Sequence, residues 1–221
     1  MAESKFYEKC KNADFERILT EKGYKYFTKG AYNLNIIGVR SDQQGKVTNL
    51  YDDLLVVIYR TPKSEEFTRK IYKITTEPGT YYRVKRLIIG KGTSILAPGQ
   101  YPSSHAVGKH KKKYKALVQV GNLTVYRDNN KDMKYDLKPN RKYTGLFGIN
   151  IHRSDEFATT KTIDNYSVGC QVFADPKEFD SFMYLCDKQN ENFKKTRFTY
   201  TLLNESDLIY FLSDKNDKED K

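Results

Sequence analysis

The spacing of apolar residues divides the chain into an opening helical stretch, a long β-rich middle and a helix set between the last extended runs. Residues 5–28 carry the helical pattern, with Asp14 as a natural N-cap, Ile18 and Leu19 on the apolar side and Gly23 after the last turn. From "AYNLNIIGVR" onward the pattern changes to short β runs separated by turn residues. "LLVVIYR" (54–60) reads as a buried strand, and "KIYKITT" (70–76) alternates before a Pro-Gly turn in "EPGT". "RVKRLIIGKG" and "TSILAPGQY" continue the series, and "KALVQVGNLTVYRD" predicts a hairpin turning at Gly121-Asn122. "GLFGINIHR" and "SVGCQVF" predict two further strands. Asp175 and Pro176, an N-cap and a first helical residue, then open a helix, "PKEFDSFMYLCDKQNEN". Its Phe179, Phe182, Met183 and Cys186 fall on one face. "RFTYTLLNE" and "DLIYFLS" predict closing strands, followed by a charged tail.

These elements predict a mainly β fold, sandwich-like or barrel-like, with a few helices. The expected organisation is an N-terminal helical segment over residues 1–33, one β-rich domain over 34–212 and a charged disordered tail over 213–221. The 18 Tyr and 12 Phe, with no Trp, suit half-buried pleated surfaces. No apolar run approaches the ~20 residues that span a bilayer, so no membrane span is expected. The first residues mix charges throughout and lack a secretory leader, which predicts a chain that starts in the cytoplasm.

Charge changes the picture more than composition does. Lys and Arg number 39 against 28 Asp and Glu, a net charge of +11, which calls for a polyanionic partner or environment. Nucleic acid and anionic cell-envelope polymers are the two candidates. The densest cluster, "GKHKKKYK" (108–115), reads as a solvated hairpin or loop, with His105 and His110 beside it. No RNP-like motif, finger or helix-turn-helix accompanies it, so specific nucleic-acid binding is not expected. Asp128, Asn130, Asp132 and Asp136 alternate like calcium-loop ligands. The loop lacks the glycine at the sixth position and the distal Glu, so a polar turn is expected there, with no metal or cofactor.

Cys10, Cys170 and Cys186 are too few for a disulfide framework and lack zinc-ligand spacing. Cys10 and Cys186 sit in helical patterns and read as packed thiols. Cys170 differs. It follows Gly169 in a turn between two apolar runs, where consecutive N–H groups can converge on one point and form an oxyanion hole. His152 ends a strand-like run that would fix its ring. Together they make a candidate thiol nucleophile and base, against the alternative of a packed thiol and a hydrogen-bonded histidine.

The spacing H-x14-S-x-G-C, carried by His152, Ser167, Gly169 and Cys170, resembles the signature of L,D-transpeptidase (YkuD-type) catalytic domains. The resemblance covers the general layout from about 34 to 212 and is specific over 145–185. It implies a β-sandwich or barrel-like domain and acyl transfer on peptidoglycan stem peptides, ending in hydrolysis or cross-linking. In that reading Cys170 is the nucleophile, His152 the general base and the Arg153 carbonyl the group that orients the imidazole. Gly169 and Cys170 supply oxyanion N–H groups, and Ser167, Gln171, Asn150 and His110 border the substrate. Two residues depart from the signature: Val168 replaces the family's second histidine, and Gln171 replaces the usual Arg, His or Asn. The missing leader and the positive charge suit a phage-encoded wall-cleaving enzyme, released at lysis or carried in a virion. The alternative is a non-catalytic structural or binding protein that keeps the fold, associated with a virion, the envelope or nucleic acid.

Overall fold

A continuous apolar strand such as "DLLVVIY" needs cover on both faces, and the architecture supplies it. The structure, a computed structural model, describes residues 10–41, 48–84, 92–127, 141–194 and 197–219. In chain order the elements are α1 (Asn12–Glu21), β1 (Asn35–Arg40), β2 (Asp53–Arg60), β3 (Phe67–Thr75), α2 (Thr80–Val84), β4 (Ser94–Leu96), β5 (Gly99–His110) and β6 (Tyr114–Gln119). They continue with β7 (Leu123–Arg127), β8 (Tyr143–Gly145), β9 (Ile151–Arg153), β10 (Gln171–Phe173), α3 (Pro176–Phe193), β11 (Phe198–Asn204) and α4 (Glu205–Glu219). The chain is mainly β. Eight strands close into a barrel in the order β1-β11-β5-β6-β9-β10-β3-β2, while β4, β7 and β8 form a separate three-stranded sheet. Within the barrel β1 runs parallel to β11 and β9 parallel to β10.

Alternation along β2 sorts its side chains between two cores. Leu55, Val57 and Tyr59 join Ile74, Phe173 and the α3 residues Phe179, Phe182 and Cys186. Leu54, Val56 and Ile58 face the other way, onto Phe15, Ile18 and Leu19 of α1 and Leu208 of α4. Asp175 caps α3, accepting a hydrogen bond from the Lys177 N–H at 2.7 Å, and Pro176 occupies the first turn. Among the described residues, no helix is long and apolar enough to cross a membrane.

Five local expectations are corrected. Among the described residues the first helix runs only from Asn12 to Glu21, and Asp14 is its third residue rather than its N-cap. The Asp14 carboxylate still serves that end, accepting the Lys11 N–H at 2.6 Å. The predicted 115–128 hairpin does not form, because β6 pairs with β5 and β9 while β7 pairs with β4 and β8. "DLIYFLS" is helical, and the backbone stays helical through Glu219 where an irregular tail is expected. Thr80–Val84 is a helix where "RVKRLIIGKG" predicts the start of a strand, and residues 85–91 lie outside the described residues. The lysine-rich 108–115 stretch is a hairpin as expected, but His105 and His110 beside it are buried rather than solvated. The calcium-like stretch at 128–136 also lies outside the described residues.

Candidate active site

Strands β9 and β10 pair in parallel with Val172 beside His152. Side chains alternate, so Cys170, two residues ahead of Val172, belongs to the face that carries His152. Cys170 and Val172 pack in one small cluster with Tyr51, Ile163 and Tyr166, beneath the loop that joins the two strands. Ile151 and Phe173 turn to the opposite side and enter the main core. A one-residue slip of register would put Cys170 and His152 on opposite faces, and the apolar alternation opposes it.

The turn before Cys170 is held from inside. The Ser167 hydroxyl donates to the Cys170 carbonyl at 3.0 Å and accepts the Gly169 N–H at 3.1 Å. Gly169 has φ +118°, and a Cβ there would lie 2.0 Å from the Ser94 carbonyl oxygen, so no side chain fits. The Gly79 N–H donates to the Ser167 carbonyl at 3.0 Å, tying the turn to the Pro-Gly segment after β3. Gln171 is fully buried, taking a 2.7 Å hydrogen bond from Tyr200 and donating to the Gly169 carbonyl at 3.4 Å. The Tyr200 hydroxyl reaches it through space that a Cβ on Gly38 would fill, 2.0 Å from that oxygen.

His152 is 3% exposed. Its Nδ1 lies 2.7 Å from the Arg153 carbonyl oxygen, which can only accept, so Nδ1 carries the proton and Nε2 keeps its lone pair. Tyr114 donates to the same carbonyl at 3.0 Å, and its oxygen lies 3.2 Å from Nδ1. His110 stacks on the imidazole with centroids 3.9 Å apart and planes 21° apart. The Asn150 amide links the groups further: Nδ2 donates to His110 Nδ1 at 3.0 Å, and Oδ1 accepts the Gln119 N–H at 2.9 Å. The Asn150 backbone N–H points at Cys170 Sγ at 3.4 Å, and the thiol in turn faces the Gly148 carbonyl at 3.5 Å.

The electrostatics favour an uncharged pair. Burial, reinforced by His110, lowers His152 to about 3, while its hydrogen bond to Arg153 works weakly against this. Burial and then Lys111 lower His110 to about 4. Burial raises the Cys170 thiol, with the Asn150 N–H and the Lys111 charge opposing it. At neutral pH the resting site is therefore thiol and imidazole rather than thiolate and imidazolium.

Cys170 lines a pocket of about 110 Å³ together with Gly92, Ser94, Arg127, Phe147, Gly148 and Val168. Among the described residues of that lining, Arg127 alone carries a formal charge. Its guanidinium lies 5.3 Å from the Phe147 ring centroid and 5.8 Å from that of Tyr143.

The expected roles of five residues change on this geometry. The Gly169 N–H, expected to face an oxyanion, is instead engaged by Ser167, while the Cys170 N–H has no partner among the described residues. Ser167 and Gln171, expected at the substrate, are buried, and their side chains hold the turn. His110 stacks on His152 and is absent from the lining of the pocket beside Cys170. Asn150 keeps partial exposure but uses its side chain internally. Sequence reasoning missed Tyr114 and Arg127. Tyr114 ends the lysine run that signals only solvation, and Arg127 opens a stretch that reads as a polar turn. The chain matches no family model, no curated protein and no solved structure.

Proposed function

We propose that the protein is a cysteine-dependent acyltransferase acting on peptidoglycan stem peptides, with L,D-transpeptidase-like chemistry. The observation that carries this reading is the fixed tautomer of His152, with a free Nε2, on the same strand face as a thiol that receives the Asn150 N–H. Because both partners rest uncharged, the thiol proton passes to His152 Nε2 as sulfur attacks the substrate carbonyl. The oxyanion accepts the Cys170 N–H, and Nε2 returns its proton to the departing amine, leaving a thioester on Cys170. Water or a second amine then displaces the sulfur, giving cleavage or a cross-link.

The pocket beside the sulfur favours a substrate that carries a carboxylate near the scissile bond, since Arg127 brings a positive charge to a lining of mixed polar and apolar groups. The motif His152, Ser167, Gly169 and Cys170 supplies the resemblance on which the substrate class rests.

The test is incubation of wild type and Cys170→Ala with muropeptides, followed by mass spectrometry of products and intact protein. The expected result is a product set and a Cys170-linked acyl adduct, both lost in the variant, with amidated stem peptides turned over more slowly than free acids. Products that persist undiminished in Cys170→Ala, or none from either protein, would overturn the reading.

A further inference from the structure

The basic hairpin does more than carry charge. Its turn places Lys111 at φ +48° and Lys112 at φ +61°, left-handed backbone that side-chain-bearing residues seldom adopt in succession. Lys113 N–H closes the turn onto the His110 carbonyl at 2.9 Å. Register sets His110 opposite Tyr114, and the two grip one ring: His110 lies on the face of His152, and Tyr114 meets its Nδ1. No other aromatic contact of His152 is found among the described residues.

We propose that His110 is a positioning residue for the reaction of Cys170: in its neutral form, with the proton on Nε2, it stacks on His152 and accepts from Asn150, so that base and thiol are held as one unit. The inference deepens the function proposed above and rests on it for its catalytic consequence. Asn150 is the hinge of the unit. An amide nitrogen only donates, so His110 Nδ1 must accept, and Asn150 Oδ1 is already committed to Gln119. The backbone of the same residue donates to the sulfur. A proton arriving at His110 Nδ1 would face the Asn150 N–H, break that link and set a positive charge against His152.

Among the described residues, the titratable groups that face His110 are cationic or neutral. Lys111 stands next to it on the turn, Tyr114 faces it from β6, and His152, with Arg153 beyond it, from β9. Cys170 lies past Asn150. None of these is a carboxylate, so none of them stabilises a charged His110. During the reaction His152 takes up the thiol proton, and the neutral ring stacked 3.9 Å away offers its π face to that cation. The role is thus asymmetric: neutral His110 supports the imidazolium intermediate, and protonated His110 opposes it.

Two variants and two readouts test this. His110→Phe keeps a stacking ring and loses the acceptor; His110→Gln keeps an acceptor and loses the ring. In the muropeptide assay each is expected to lower kcat by about 10- to 100-fold with KM little changed. In His110→Phe the acid limb of kcat/KM moves to higher pH, because the opposing charge is gone. Nitrogen-15 NMR of the His152 ring, in protein without substrate, is expected to show the same upward move in its titration. Thermal unfolding identifies variants that have lost the fold. A wild-type His152 titration in a folded His110→Phe overturns the inference. An upward titration with no muropeptide turnover by wild type supports the clamp and sinks the proposed reaction.

Discussion

Gly169 and Gln171 flank the same cysteine yet differ in how far their sequence positions reveal them. A glycine before a cysteine between apolar runs announces a tight turn, and its φ of +118° with Ser94 packed against it makes that glycine obligatory. Gln171 looks like a groove residue because it follows Cys170. Strand alternation instead sends it inward to Tyr200, a contact 29 residues away that no local pattern records. His110 is hidden in the same way, a buried ring inside a run of lysines, because only the strained turn and the pairing with Tyr114 aim it at His152. The reactivity of Cys170 follows from its surroundings at this scale. Burial keeps the thiol above its usual value near 9, so alkylation by iodoacetamide is expected to climb with pH without a plateau between about pH 5 and 8. Mass-mapped alkylation rates for Cys170, with Cys10 and Cys186 as internal references, give the measurement. A plateau in that range would mean a resting thiolate–imidazolium pair, contrary to the uncharged site.

Among the elements, β2 and α3 are the most legible. The apolar run of β2 marks cover on both faces, and α3 carries its own start signal in Asp175-Pro176 and its own periodicity. Less legible is α4, whose short apolar stretch fits a strand or a helix equally well until Leu208 packs beside α1. β6 and β7 mislead for a different reason: two runs joined by a short turn normally pair, and here the chain changes sheets at Gly121. The cap of α3 has a further task, since the Thr159 hydroxyl donates to the second Asp175 carboxylate oxygen at 3.1 Å and ties the 154–169 loop to the helix start. Asp175→Ala is expected to cost about 1 kcal/mol in urea unfolding with an unchanged slope, and Asp175→Ser to recover most of it. A midpoint equal to that of wild type would show that the cap carries no stability.

At the scale of the whole molecule, all three histidines of the chain serve one four-residue stretch. His105 donates from Nε2 to the Ile149 carbonyl at 3.0 Å and accepts from Ser104, His110 accepts from Asn150, and His152 closes the stretch as the base of the proposed reaction. Burial lowers His105 from 6.5 to about 4. The unfolded chain therefore binds the proton more readily between those values, so this contribution to stability is complete above about pH 6.5 and is lost as pH falls through about 4. His105→Gln is expected to be less stable than wild type at pH 7, with the gap narrowing by about 3 kcal/mol at pH 4. Asp53, which burial raises and Glu77 raises further, titrates in both proteins and cancels from that difference. Urea unfolding at the two pH values measures it, and a gap that stays constant would rule out a neutral buried His105. By itself the sequence determined the β-rich class, the helix after the cysteine and the spacing of His152, Ser167, Gly169 and Cys170, because periodicity, caps and turn residues act over a few neighbours. Only the tertiary structure decided the closed barrel, the inward turn of Gln171, the contacts of His110 and Tyr114 with His152, and the Arg127 pocket. Those depend on which strands become neighbours and which face each pleat presents, and such pairings are set by burial across the whole chain.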